Sequence, residues 1–238
     1  MIRTLLSLTV AAMLTACSNA HMQTVESYAG PTVPRPDRVL VSYYSISPEQ
    51  VRLDQGVGAR VIRAAGDQGL TALELRAAQD TQAALAERLV ERLRKYGLPA
   101  ELGGAGVGNN MLVQGQIVSI DQGNRTRRVM IGLGAGKSSV SADTQIYYAT
   151  ASSAPRFMMA FDGEADSGRM PGAAETMGAG AVAQRAATSA ALTGATHAGA
   201  ETRRTTDTAE AGKLADAIAL RIGQFAVGQG WIPQTALN

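Results

Sequence analysis

The sequence predicts an α/β domain of the α+β kind: a mixed, largely antiparallel sheet with two amphipathic helices packed on one face. Three observations carry this. A leucine stripe recurs every fourth residue at Leu85, Leu89 and Leu93. Strict two-residue alternation runs through residues 138–149. The order of elements is strand, helix, meander, helix, which a layer of helices on a half-solvated sheet satisfies.

The elements follow in order. Arg38 to Ile46 (RVLVSYYSI) reads as a first strand, rich in β-branched and aromatic residues and closed by Ser47-Pro48. Tyr43 and Tyr44 fall on opposite faces, so one belongs to the core. Residues 49–70 are polar and glycine-bearing, and read as loop with a short helix. Thr71 to Tyr96 is the strongest helix. Thr71 and Glu74 have capping-box spacing. Ala78, Ala86 and Tyr96 extend the leucine stripe, and Gly97 and Pro99 stop it. Glu87, Arg88, Glu91, Arg92 and Arg94 form its solvated face.

Four strand-like runs follow: Met111 to Asp121, Arg127 to Leu133, Ser138 to Ala149 and Arg156 to Glu164. In the third, Val140, Ala142, Thr144, Ile146 and Tyr148 share one side. Gly123-Asn124, Gly134-Ala135-Gly136 and residues 152–155 are the breaks between runs. Residues 165–202 are dominated by Ala, Gly, Thr and Ser, and read as a mobile excursion or a weak Ala-rich helix. Thr206 to Val227 is a second amphipathic helix with Leu214, Ile218, Ile222 and Phe225 on its stripe. Gly228, Gly230 and Pro233 end it, and Trp231 staples the C-terminus.

The N-terminus carries an address. Arg3 supplies a positive start, and residues 5–14 an apolar run too short to span a bilayer, which needs roughly 20 residues. Leu14-Thr15-Ala16-Cys17 closes this run and resembles a bacterial lipobox. That resemblance implies a signal peptide over residues 1–16, cleavage between Ala16 and Cys17, and an N-acyl, S-diacylglyceryl (palmitate-bearing) cysteine at position 17. Ser18, in place of an aspartate, implies sorting to the outer membrane. Each buried methylene contributes about 0.8 kcal/mol, and two acyl signals already anchor stably. Residues 17–37, with Pro31, Pro34 and Pro36, read as an extended tether, and residues 38–238 as one domain. The expected localisation is the periplasmic face of the outer membrane, with a membrane contact through lipid and an envelope protein as partner.

Composition narrows the function. The chain has 238 residues, with 22 Lys and Arg against 20 Asp and Glu. So near a balance gives no global pull toward nucleic acid or anionic lipid. Cys17 is the lone cysteine, so there is no internal disulfide, and nothing partners it as a redox or metal thiol. His21 and His197 lack ligand spacing, and no metal or other cofactor is expected. Asp162 and Glu164 share one strand face and read as solvated strand-end carboxylates. Gly132 to Ser138 (GLGAGKS) invites comparison with a phosphate loop. The GxxxxGK[ST] spacing would put the first glycine at position 131, which is Ile131, and Ser138 opens a strand rather than a helix. A glycine-rich turn is the better reading. Arg125, Arg127, Arg128 and Lys137 flank it as candidate anion-binding residues, for an anionic envelope component in an alternative reading. No catalytic set is found, so the expected role is non-enzymatic.

The lipobox, the early strand and Leu-rich helix, the GxGxGxS run ending at Ser138 and the closing helix together resemble a family of uncharacterised bacterial lipoproteins of unknown function. The strand–helix order is also similar to the small α/β domains of envelope assembly and secretion lipoproteins, such as the curli-secretion lipoprotein and the N-terminal domain of the Tol-system propeller protein. Neither resemblance supplies catalytic residues.

Overall fold

A computed structural model of the chain describes residues 20–65, 70–104, 108–124, 126, 127, 131, 135–168 and 198–238. Cys17, Ala16, Ser18, Arg125, Arg128, His197 and residues 132–134 and 169–197 lie outside the described residues, and with them the lipobox, most of the glycine turn and most of the excursion at 165–202.

Seven strands form one sheet: β1 (Ala20–Ser27), β2 (Arg38–Val41), β3 (Val51–Arg52), β4 (Ala100–Leu102), β5 (Asn110–Asp121), β6 (Ser139–Thr150) and β7 (Ser153–Asp166). Their order is β1-β7-β6-β5-β2-β4, and β3 pairs with β5 further along the edge that β2 also uses. β1, β7, β6 and β5 are mutually antiparallel, while β2 and β3 run parallel to β5, and β4 parallel to β2. Parallel neighbours need a crossover, and α1 (Val57–Ala65) and α2 (Leu70–Lys95) supply it between β2 and β4. α3 (Ala198–Gly228) follows β7. The fold is therefore the mixed, largely antiparallel sheet that the sequence predicts, with α2 and α3 covering one face.

The periodic segments carry the core. Leu85, Leu89 and Leu93 of α2 are fully buried, as are Leu214, Ile218 and Ile222 of α3. They meet Val140, Ala142, Thr144, Ile146 and Tyr148, the predicted inward set of β6. Alanines at 211, 215, 219 and 226 let α3 lie close, and a Cβ on Gly223 would crowd Tyr96 and Leu237. Arg88 grips Asp216 with two hydrogen bonds of 2.8 and 3.0 Å and so ties α2 to α3. Both helices stop on a left-handed glycine. Gly97 and Leu98 donate to the carbonyls of Arg94 and Leu93, and Gly230 and Trp231 to those of Val227 and Ala226. This two-bond closure is the Schellman motif.

Three expectations are corrected. Residues 17–37 are not a free tether over their described part: Ala20–Ser27 is an edge strand of the sheet, in register with Ala165 to Met159. The Pro-rich segment beyond it is also held. Val33 is buried, its N–H reaches Gln229 Oε1 at 2.8 Å, and the Trp231 indole donates to its carbonyl at 2.9 Å. The first strand is shorter than predicted, ending at Val41, because Tyr44 rotates into the core beneath Gly115 and hydrogen-bonds Thr144. Only a single bridge, Ser45 to Gln116, follows.

The run Arg127 to Leu133 does not begin as a strand. Thr126 and Arg127 are helical, and Ile131 donates to the Arg127 carbonyl at 2.9 Å. Asn124 explains this, since its Oδ1 accepts the Arg127 N–H at 3.0 Å as an N-cap does. The short helix expected within residues 49–70 is α1, and a 3₁₀ turn (Pro48–Gln50) and β3 precede it.

Candidate functional site at the pole where the chain enters the sheet

Register fixes one pole of the molecule. Ala20, Ala165, Val140, Ile120 and Val51 form a single cross-strand row from β1 to β3. Just past it β3, β5 and β7 end and β1 and β6 begin, so the connecting segments gather there.

Three strand ends use the same device. Asp54, Asp121 and Asp166 each accept, through Oδ1, the backbone N–H of the glycine two residues on, at 2.8, 2.7 and 2.7 Å. This is the Asx turn, which a short carboxylate makes with its own chain. The signal in sequence is D-x-G, at 54–56, 121–123 and 166–168. Gln122 then knits the turns together. Its Oε1 accepts the Asp54 N–H at 3.1 Å, and its Nε2 donates to Asp207 of α3 at 2.6 Å. Asp54, Asp207 and Glu210 are buried here.

The glycines at this pole are positional. Gly123 and Gly136 have positive φ, and a Cβ on either would overlap the facing backbone carbonyls. That close approach lets Asn124 donate to the Gly136 carbonyl at 3.1 Å. So the described part of the predicted glycine turn is a backbone clasp, not a phosphate cradle.

The candidate anion-binding residues separate. Lys137 is committed to Asp166, with Nζ 2.7 Å from Oδ2. Burial opposes ionisation of Asp166, but Lys137 and the Gly168 amide more than offset it and hold the carboxyl below its usual range. Lys213 donates to the Asp166 carbonyl at 3.3 Å and stands 3.9 Å from Glu210. Arg127 is exposed. The Ser138 hydroxyl is buried with no hydrogen-bond partner among the described residues, while its backbone exchanges bonds with Ser167.

Elsewhere the open face of the sheet carries Asp143 opposite Asp162, and Glu164 in line with Ser141 and His21. Partial burial and then the Asp162 charge push the Asp143 carboxyl up. An open groove of about 670 Å³ lies between α2 and the β4 edge, lined by Glu87, Val90, Glu91, Arg94, Lys95 and Leu102. Three of its charged side chains are already engaged, since Glu91 pairs with Lys95 and Arg88, and Arg94 donates to the Ala100 carbonyl. Among the described residues, no group of three or more His, Cys, Asp or Glu side chains is placed to hold a metal ion, and no helix is long and apolar enough to cross a membrane.

A search of curated proteins finds no match. Among solved structures, the PelC dodecamer from Paraburkholderia phytofirmans is similar at 11% identity, covering 71% of this chain and 91% of that one, with a TM-score of 0.33. A single-residue variant of it gives 10% identity, 71% and 92% coverage and a TM-score of 0.31. Likeness at that level carries no argument. The family match is of another order: it spans residues 39–184, from β2 past the end of β7, and takes in the Asx turns at 54, 121 and 166 and the glycine clasp. The chain belongs to the DUF4410 family, a domain of unknown function.

Proposed function

We propose that this protein is a lipid-anchored module of the bacterial cell envelope that acts by binding a partner protein rather than by catalysis. The observation that carries the reading is the lipobox-like Leu14-Thr15-Ala16-Cys17, preceded by a charged start and a short apolar run, and followed three residues after the cysteine by the first strand of the domain. A binding role is supported by how the pole's carboxylates are used. Asp54, Asp121 and Asp166 hold turn amides, and Asp207 holds Gln122. Groups used in this way position the turns and the Gln122 side chain, which is a structural use of these carboxylates. Ser18 favours the outer membrane.

The test is Cys17→Ser with membrane fractionation and mass analysis of the N-terminus. The expected result is a folded chain that carries no acyl group and keeps its signal segment. Wild-type chain whose Cys17 carries no lipid would overturn the anchor. Crosslinking in intact cells should recover an envelope protein, and recovery of none would overturn the partner.

A further inference from the structure

α1 turns two of its valines outward. Val57, Arg60, Val61 and Ala64, at successive three- and four-residue spacings, are all exposed, the two valines at 68% and 62%. Ala59, on the other side, is buried. α1 starts against the turn that follows β5, since a Cβ on Gly56 would lie 2.8 Å from Thr126 Oγ1. One helical turn past Arg127, Ile131 is 49% exposed. Among the described residues, the exposed charges of these segments are cationic: Arg52, Arg60 and Arg127. The nearby acids Asp54 and Asp121 are engaged by turn amides.

This surface sits where the chain enters the fold. Ala20 and Val51 share the cross-strand row that borders the pole. Four strand spacings of about 4.8 Å separate them, roughly 20 Å along the pole. Cys17 stands three residues before Ala20, and three residues span at most about 10 Å. A cysteine held in a bilayer would therefore hold this pole, and not the opposite one, against the membrane. β6 alone is 12 residues long, which places the far end roughly 40 Å away.

We infer that α1 and the adjoining turn form a second membrane contact: an interfacial helix that lays Val57 and Val61 into an anionic lipid surface, with Arg60 and Arg127 meeting the headgroups. This rests on the lipid-anchor reading. An amphipathic helix with arginine on its polar flank lies in the interface in this way. Nine residues alone would bind weakly. The anchor makes the contact intramolecular and so raises its effective concentration.

The test uses the acylated chain reconstituted in phosphatidylcholine vesicles with and without phosphatidylglycerol. Acylation consumes the native thiol, so Val61→Cys and, separately, Ser152→Cys at the far β6–β7 turn can each carry one polarity-sensitive fluorophore. The expected result is a blue-shifted emission at position 61, quenched by brominated lipid and stronger with phosphatidylglycerol, and none at position 152. Adding Val57→Asp should return position 61 to its emission in water. An acylated chain with the same water-like emission at both positions would overturn the inference alone. So would a shift at position 61 that tracks protein density and ignores brominated lipid, which would mean a second copy covers the helix. Mass analysis that finds Cys17 unacylated removes the anchor reading and this inference together.

Discussion

Asp143 and Asp162 stand directly opposite one another on β6 and β7, on the open face of the sheet. Partial burial of Asp143 raises its carboxyl, and the like charge of Asp162 across the pair adds to the effect and opposes folding. The folded state then binds its proton more tightly than the unfolded chain does. Stability from this group falls as pH rises from about 4, the ordinary aspartate value, through the raised folded value, and is level above it. Asp143→Asn should therefore stabilise the protein at neutral pH by about 0.5 kcal/mol, the scale of one cross-strand pair. The gain should shrink as the wild type is acidified. Thermal melts of both proteins between pH 3 and 8 would show it, and a parallel pH dependence would contradict it.

Lys137 and Asp166 make the opposite case. Here the carboxyl is held low, so its contribution is present above the unfolded value near 4 and lost as pH falls through the folded one. The lysine is half exposed, which keeps the pair within about 1 kcal/mol. Lys137→Gln should cost that much at pH 7 in urea unfolding and nothing once Asp166 is protonated. It should also loosen the clasp, visible as faster amide exchange at Asn124 and Ser138.

What could be read from the sequence was what repeats locally. The α2 stripe and the β6 alternation are set by periods of 3.6 and 2, and both survive into the core unchanged. β1 was unreadable because its partner, β7, is about 140 residues away, and because AHMQTVES has neither a clean alternation nor a buried face of its own. A separation of 198 residues likewise hides the hold of Trp231 on Val33. Val129, Met130, Ile131 and Leu133 make a strand-like run by composition, yet Asn124 caps a helical turn at its start. A local hydrogen bond there outweighs side-chain preference. At the pole, the Asx turns were visible as D-x-G, but that Gln122 would join two of them to α3 follows only from the fold.

Leu89 and Leu75 lie on the same helix in opposite situations, one fully buried and the other 45% exposed. Leu89→Ala removes core volume facing the sheet and should cost about 2–5 kcal/mol, since neighbouring side chains collapse only in part. Leu75→Ala should change stability by less than about 0.5 kcal/mol. Urea midpoints at fixed m-value would check both, and equal losses would mean that α2 is packed differently near its start.

Trp231 and Val33 decide whether the segment ahead of β2 belongs to the domain. The indole packs edge-on to Phe225 with ring centres 5.5 Å apart and donates to the Val33 carbonyl, while Gln229 accepts the Val33 N–H. Trp231→Phe keeps most of the ring contact but leaves a buried carbonyl without its donor, a loss of about 1–3 kcal/mol. That loss is local to residues 28–37. It should appear as proteinase K cleavage between Tyr28 and Asp37 at concentrations that leave the wild type intact, well before the whole domain melts. Gln229→Ala should act in the same direction, and the two together should add to less than the sum of each, because both hold one residue. Cleavage of this segment in the wild type at the same protease concentration as in Trp231→Phe would mean that residues 28–37 are a free connection between β1 and β2.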